Sequence, residues 1–235
     1  MTSNRIAVIT LCALFSVPAL AKSAENAEAK EMRKVTSVLN EIMAAPDKGI
    51  PHDLLNKAVC VGIVPAELRF AIGFGGSYGR GVLVCRKGGN GRWGGPSMFR
   101  LLGGNFGFQL GGRATDVVFI VMNADGAEKL VRDDVKLGAD ASATAGPVGR
   151  TAEGATDAQM HAEILSYSRT RGLFAGVSLA GAVLRQDKGR NEKLYGRRVT
   201  AKEILIAGKV GTPAAAQALD QALAKYSPHG GQPFS

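Results

Sequence analysis

Histidine and cysteine are both scarce, with three of each in 235 residues. His52, His161 and His229 are scattered. Cys60 and Cys85, the two cysteines beyond the first 21 residues, lie far apart without ligand pairs nearby, so the spacing of a zinc-type site is missing and no metal is expected. Long apolar runs are missing as well. Leu173 to Leu184 extends for about a dozen residues, too short to cross a bilayer. Gly172, Gly176 and Gly181, in and beside that run, instead suit close packing of strands in a core. No G-x-x-x-x-G-K-S/T pattern occurs, and no G-x-G-x-x-G follows a strand and opens a helix, so nucleotide binding and a bound cofactor are not expected. Acidic residues are outnumbered, 20 against 29 lysines and arginines.

The first 21 residues have the three parts of a secretory signal peptide. A short region contains Arg5 and no acid, an apolar stretch runs from Ile6 to Val17, and Pro18-Ala19-Leu20-Ala21 offers the small residues of an A-x-A cleavage site. Cleavage is expected after Ala21. Acylation at Cys12 is disfavoured because the bulky Leu11 stands where a lipoprotein signal needs a small residue. Loss of Arg5 lowers the formal net charge from +9 to +8. A basic exported protein meets few nucleic acids, so the charge points to anionic phospholipid or another anionic component of the cell envelope, with solubility as the plainer use. An oxidising compartment permits a disulfide between Cys60 and Cys85. Burial of both as small hydrophobes is the simpler expectation, since each sits among valines.

From Ala24 to Ala45, Met32, Val35, Val38, Leu39, Ile42 and Met43 follow the i, i+3, i+4 rule of an amphipathic helix, with Lys30, Arg33 and Lys34 on its polar side among Glu31 and Glu41. Ala45-Pro46 ends it, and a shorter helix starts at Pro51. Between Gly62 and Gly112 lie 16 of the 31 glycines, interleaved with β-branched and aromatic residues in the manner of strands and turns. Tyr78 to Lys87 reads as a strand, Gly88 to Gly91 as a turn, and Arg92 to Met98 as the return of a hairpin. Gly103 to Gly112 alternates Phe106, Phe108 and Leu110 with small or polar residues, as a strand with one nearly bare face does. Asp116 to Met122, Val135 to Ala143, His161 to Arg169 and Leu173 to Gln186 are further strand candidates, and Ala124 to Arg132 is a short helix. Thr200-Ala201-Lys202-Glu203 forms a capping box, and a last helix is expected with Thr212 as N-cap and Pro213 at N1.

These elements compose a single α+β domain: an N-terminal helical segment (22–57), a glycine-rich, mainly antiparallel core with C-terminal helices (58–226), and a polar tail (227–235). An outer-membrane barrel would need many strands of about ten residues and no terminal helices. Gly75-Gly76-Ser77-Tyr78-Gly79 matches the G-x-S-x-G of a nucleophile elbow, with Asp116, Asp140 and His161 following in triad order. The elbow needs a helix directly after the serine, whereas Gly81-Val82-Leu83-Val84-Cys85 reads as strand. A Ser77 hydrolase is therefore a distant alternative. His161 is expected as a half-buried strand residue. Two cationic clusters remain: Arg80, Arg86, Lys87 and Arg92 around the hairpin, and Arg185, Lys188, Arg190, Lys193, Arg197 and Arg198 from the last strand onward.

Four segments resemble the landmark motifs of the SYLF domain family: Gly75 to Val84 (GGSYGRGVLV), Gly107 to Gly112 (GFQLGG), Ala145 to Arg150 (AGPVGR), and Ser166 to Leu179 (SYSRTRGLFAGVSL). Lys193-Leu194-Tyr195-Gly196 follows in the same order. The resemblance spans nearly the whole chain beyond the leader. It implies the family's fold and a lipid-binding rather than catalytic role, with phosphoinositide and actin interactions among eukaryotic members. For an exported member neither cytoplasmic actin nor phosphoinositides are expected partners. The expectation is a non-enzymatic protein held peripherally at an anionic membrane by the two clusters together with Lys30, Arg33 and Lys34. A structural or interaction protein of the envelope, recognising a protein or polysaccharide, is the alternative.

Overall fold

A computed structural model describes residues 26–44, 49–72, 74–105, 113–148, 161–170 and 173–228. The leader, residues 106–112 with Phe106, Phe108 and Leu110, Arg150 and the end of the tail lie outside the described residues. Among those described, nine strands form one sheet: β1 (Cys60–Ile72), β2 (Phe74–Cys85), β3 (Ser97–Asn105), β4 (Arg113–Val121), β5 (Asp134–Lys136), β6 (Ala143–Ala145), β7 (Ile164–Thr170), β8 (Leu173–Gly176) and β9 (Val183–Gln186). Their order is β5-β9-β3-β2-β1-β4-β7-β6, with β8 also on β7. Every pairing is antiparallel except β6 with β7. The helices among the described residues are α1 (Ala27–Met43), α2 (His52–Lys57), α3 (Ala124–Leu130), α4 (Lys188–Tyr195), α5 (Ala201–Leu205) and α6 (Gln217–Tyr226). The fold is α+β, as the sequence implied.

The sheet is buried on both faces because its strands alternate between two apolar layers. Val61, Ile63, Val82, Val84, Val118 and Ile120 point toward one layer, where Met32, Val35, Leu39 and Ile42 of α1 meet Leu219 and Leu223 of α6. Cys60, Val64, Leu83, Cys85, Val117 and Phe119 point the other way, toward Leu130 of α3 and Ile204 and Leu205 of α5. Gly62 is paired with Phe119 across β1 and β4, and a Cβ at 62 would fall inside that ring. Gly176 abuts the backbone of Gly146 in the same way, which is the close strand packing expected of the 173–184 run. Cys60 and Cys85 are register partners with Cα atoms 4.0 Å apart, and they are joined as a disulfide rather than packed as two separate thiols.

Several elements differ from their sequence-based expectation. Val135 to Ala143 is broken by a turn at Gly138 (φ +83°), and Leu173 to Gln186 by one at Gly181 (φ +87°), a backbone conformation that favours glycine. The hairpin's return strand starts at Ser97 rather than Arg92, after a single bridge between Arg86 and Trp93. The last helix starts at Gln217 behind a 3₁₀ turn at Ala214–Ala216, so Thr212 is not its N-cap. The capping box at Thr200 and Glu203 is present.

Ser227, assigned to the tail, belongs to the core. Its carbonyl accepts from Arg86 Nη2 at 2.9 Å and from Trp93 Nε1 at 3.1 Å, while its hydroxyl donates to the carbonyl of Leu55 at 3.0 Å. Arg86 is fully buried and also donates to the carbonyls of Ala58 and Gly91, both at 3.2 Å, with its guanidinium 4.1 Å from the Trp93 ring centroid. Burial lowers its pKa to about 10, so it stays protonated at neutral pH. One guanidinium thus ties the chain's end to β2 and to the start of β1. Arg86→Met takes the guanidinium away from the carbonyls of Ala58 and Gly91 and from the hydroxyl of Ser227, and is expected to cost about 3 kcal/mol or more in urea denaturation, whereas Arg92→Met, at an exposed position, shifts stability by under about 0.5 kcal/mol.

Candidate functional site

The two cationic clusters do not survive as sequence grouped them. β2 rises about 3.3 Å per residue, which separates Arg80 from Arg86 by roughly 20 Å. Arg86 is buried in the core and is withdrawn as a surface contact. Lys87 and Arg92 lie exposed at the hairpin end, where both interact electrostatically with Asp220 of α6. Arg80 instead joins the second cluster.

That union follows from strand register. Arg80 of β2 is directly opposite Arg100 of β3, and Arg100 is directly opposite Arg185 of β9. Three arginines therefore stand side by side across three neighbouring strands, on the face that carries Val82, Val84 and Met98. Like charges directly opposite each other destabilise a sheet, so each needs a counter-charge or a ligand. Arg185 pairs with Asp134 of β5 at 2.5 Å, and Arg100 Nε donates to Asp187 at 2.8 Å. Arg80 Nε donates to the hydroxyl of Tyr78 at 2.7 Å, a neutral partner.

Where α1 ends its cover of the sheet, α4 closes over the row. A cleft of about 410 Å³ lies between them, lined by Ala27, Glu28, Arg80, Arg100, Asp187, Gly189, Arg190 and Lys193. Asp187 caps α4, accepting from the Arg190 amide at 3.3 Å, and is only 4% exposed. Burial works to raise its pKa, but the hydrogen bond and charge of Arg100 outweigh this and hold it below 3.8. Arg190 is under-satisfied: its Nε lies 3.4 Å from the buried Glu28, and its Nη1 is buried without a hydrogen bond among the described residues. On the next turn of α1, burial raises the pKa of Glu31 against the opposing pull of Lys34, Arg190 and Arg80.

The remaining candidates divide clearly. Lys30, Arg33 and Lys34 are exposed on the polar side of α1, whose apolar side is wholly taken up by the core and cannot also meet a membrane while α1 stays docked. Lys188 pairs with Asp133 at 2.8 Å and Arg198 lies 3.6 Å from Glu192, so part of the second cluster is offset by acids. Arg197 is exposed. Arg100, Asp187 and Glu28 were not singled out from sequence. Arg100 shares its face with Met98 by strand alternation, but only register reveals what stands beside it.

The elbow reading loses its geometry. Ser77 lies inside β2, paired with Arg69 of β1 and Gly103 of β3, and the strand continues to Cys85. Asp116 is engaged by Arg169 and by the Ala66 amide at 2.9 Å. His161 is exposed at a bend before β7 rather than half-buried in a strand. Among the described residues no group of three or more His, Cys, Asp or Glu could hold a metal ion, and no helix is long and apolar enough to cross a membrane.

Residues 102–226, from within β3 to the end of α6, match the family model Ysc84, described as Las17-binding protein actin regulator. The chain belongs to the Ysc84/SYLF family. LAS seventeen-binding protein 3 of Saccharomyces cerevisiae is 35% identical over 202 residues, covering 82% of this chain and 43% of the yeast protein. SH3 domain-containing YSC84-like protein 1 is 32% identical over 214 residues in Bos taurus and 33% in Homo sapiens, in each case covering 90% of this chain. The matches span 61% of the bovine protein and 60% of the human one. This chain thus corresponds to about half the length of its curated relatives. The Ysc84 match takes in Asp187, Arg190 and Lys193 of the cleft, while Arg80 and Arg100 lie N-terminal to it.

Asn caps a helix as well as Asp does, so Asp187→Asn removes only the charge that neutralises Arg100 and is expected to cost about 1 kcal/mol at pH 7 in urea denaturation. Because the folded-state pKa is lowered, that stability is present above pH 3.8 and is lost as pH falls through the folded value. The difference between parent and variant therefore shrinks on going from pH 7 to pH 3.

Proposed function

We propose that this chain is an exported, non-enzymatic member of the Ysc84/SYLF family that associates peripherally with anionic membrane surfaces through the cleft and the cations around it. The observation that carries this reading is the row Arg80, Arg100 and Arg185, a like-charge arrangement only partly answered by Asp187 and Asp134. Exposed Lys193, Arg197, Lys30, Arg33 and Lys34 extend the cationic surface around the cleft or along α1. Each cation near an anionic surface contributes about 1 kcal/mol, so four or five acting together hold a domain reversibly. Export is supported by the leader-like first 21 residues and by the Cys60–Cys85 disulfide, a bond at home in oxidising compartments.

A second reading also has support. LAS seventeen-binding protein 3 is named for binding LAS seventeen and the family model is described as an actin regulator, so the same domain in this chain could recognise a protein of the envelope. The membrane reading is preferred because cations from β2, β3 and α4 converge on one cleft.

Sedimentation with vesicles separates the two. Binding to phosphatidylglycerol vesicles is expected to fall steeply between low and high salt and to be absent with phosphatidylcholine. Arg80→Gln weakens it about fivefold, corresponding to about 1 kcal/mol, while Lys87→Gln changes it less than about twofold. Equal binding to neutral vesicles contradicts the electrostatic mechanism. Absence of binding to both favours the protein partner.

A further inference from the structure

We infer that the cleft between α1 and α4 is a one-to-one site for a phosphate monoester dianion, rather than one part of a diffuse cationic surface. The inference rests on the membrane reading for its biological source but not for its chemistry. Four cations line the cleft, Arg80, Arg100, Arg190 and Lys193, against two carboxylates, Glu28 and Asp187. At its rim Lys34 and Glu31 cancel, which leaves a formal charge of +2. A dianion balances that charge; a phosphodiester, with a single negative charge and two esterified oxygens, leaves one cation unanswered. Phosphate monoesters carry about −1.5 to −2 at pH 7 and three acceptor oxygens.

The donors have matching geometry. Arg80 and Arg100 are direct cross-strand partners, so their Cα atoms stand about 4.5–5.5 Å apart, and both side chains line the cleft. Guanidinium forks grip phosphate oxygens in pairs, which a lysine cannot do. Arg100 is held in place from one side by Asp187, itself locked as the cap of α4, so this arm is preorganised. Among the described residues Arg80 donates a hydrogen bond to the Tyr78 hydroxyl and to no carboxylate, feels Glu31 only through space, and stays exposed, so its charge is the most available. Arg190 adds positive potential from beneath, since the 3.4 Å approach to Glu28 and the unbonded Nη1 leave it incompletely compensated. The cleft's volume of about 410 Å³ admits a phosphate with the first atoms of whatever carries it.

The phosphate can come from a lipid headgroup or from a soluble ester, and the test distinguishes them. Inorganic phosphate is titrated into the full chain at constant ionic strength against chloride, with binding followed by calorimetry and by NMR shifts. In parallel, vesicles containing phosphatidic acid, a monoester, are compared with phosphatidylglycerol vesicles, a diester, at matched surface charge. Saturable 1:1 phosphate binding, weakened at least tenfold by Arg80→Gln and unchanged by Arg92→Gln, is the expected result. With it, a preference of about fivefold or more for phosphatidic acid identifies the lipid as source, and equal vesicle binding identifies a soluble phosphate. Absence of saturable phosphate binding together with equal binding to both vesicles overturns the inference while leaving a diffuse electrostatic attraction intact. Absence of binding to phosphate and to either vesicle overturns both. Because Arg80 is exposed, its variant keeps the fold, which the urea midpoint verifies.

Discussion

The register of β2 between β1 and β3 is the constraint on which the rest of this structure depends. It sets Cys60 against Cys85, Ile63 against Val82 and Arg80 against Arg100 in a single stroke. Because side chains alternate strictly along a strand, a slip of one residue would turn Val82 and Val84 out of their apolar layer and Leu83 and Cys85 into it. The same slip would carry Arg86 away from Ser227 and separate the arginines of the cleft. The disulfide and the Arg86 node pin that register near one end of β2. Toward the other end it leaves three cations abreast.

Core and site therefore come from one alternation. Positions 80, 82, 84 and 86 of β2 share a face: the two valines are covered by α1 and α6, Arg86 is enclosed at the chain's end, and Arg80 emerges where that cover stops. Whether a cation on this face serves the fold or a ligand depends on what lies above it. Arg86 meets the backbone carbonyls of Ala58, Gly91 and Ser227. Arg80 meets another arginine. Asp187 and Asp134 reduce the mutual repulsion of the row without removing it, the arrangement expected where an anion completes the balance.

Local signals were readable in the sequence. The apolar spacing of α1, the capping box at Thr200 and the hairpin glycines each identify an element with little reference to the rest of the chain. β1 went unread because its first part, Cys60 to Val64, is buried on both faces and shows no polar alternation. α4, KGRNEKLY, has almost no apolar side; its ends alone, Asp187 as N-cap and Gly196 in the left-handed conformation, mark it. Of the site, the residue types were legible and the assembly was not. Arg80 and Arg190 are far apart along the chain, and Arg100 gained meaning only when β3 lay between β2 and β9. Strand alternation places Arg86 with Val82 and Val84, but it places Arg80 there as well, so the burial of one and the exposure of the other were not legible. The family resemblance gave the fold correctly, and the arrangement of cations had to come from the strand pairing.

The central claim, that Arg80 and Arg100 are held together against their mutual repulsion, is tested most directly by a double-mutant cycle. Arg80→Gln, Arg100→Gln and the double variant are compared with the parent by urea denaturation in low-salt chloride buffer. The coupling energy isolates the pair from the separate loss of the Arg100–Asp187 contact. An unfavourable coupling of about 0.5 kcal/mol or more, reduced or reversed when phosphate replaces chloride, is the result this account predicts. A coupling that is zero or favourable in chloride, and indifferent to phosphate, would contradict it.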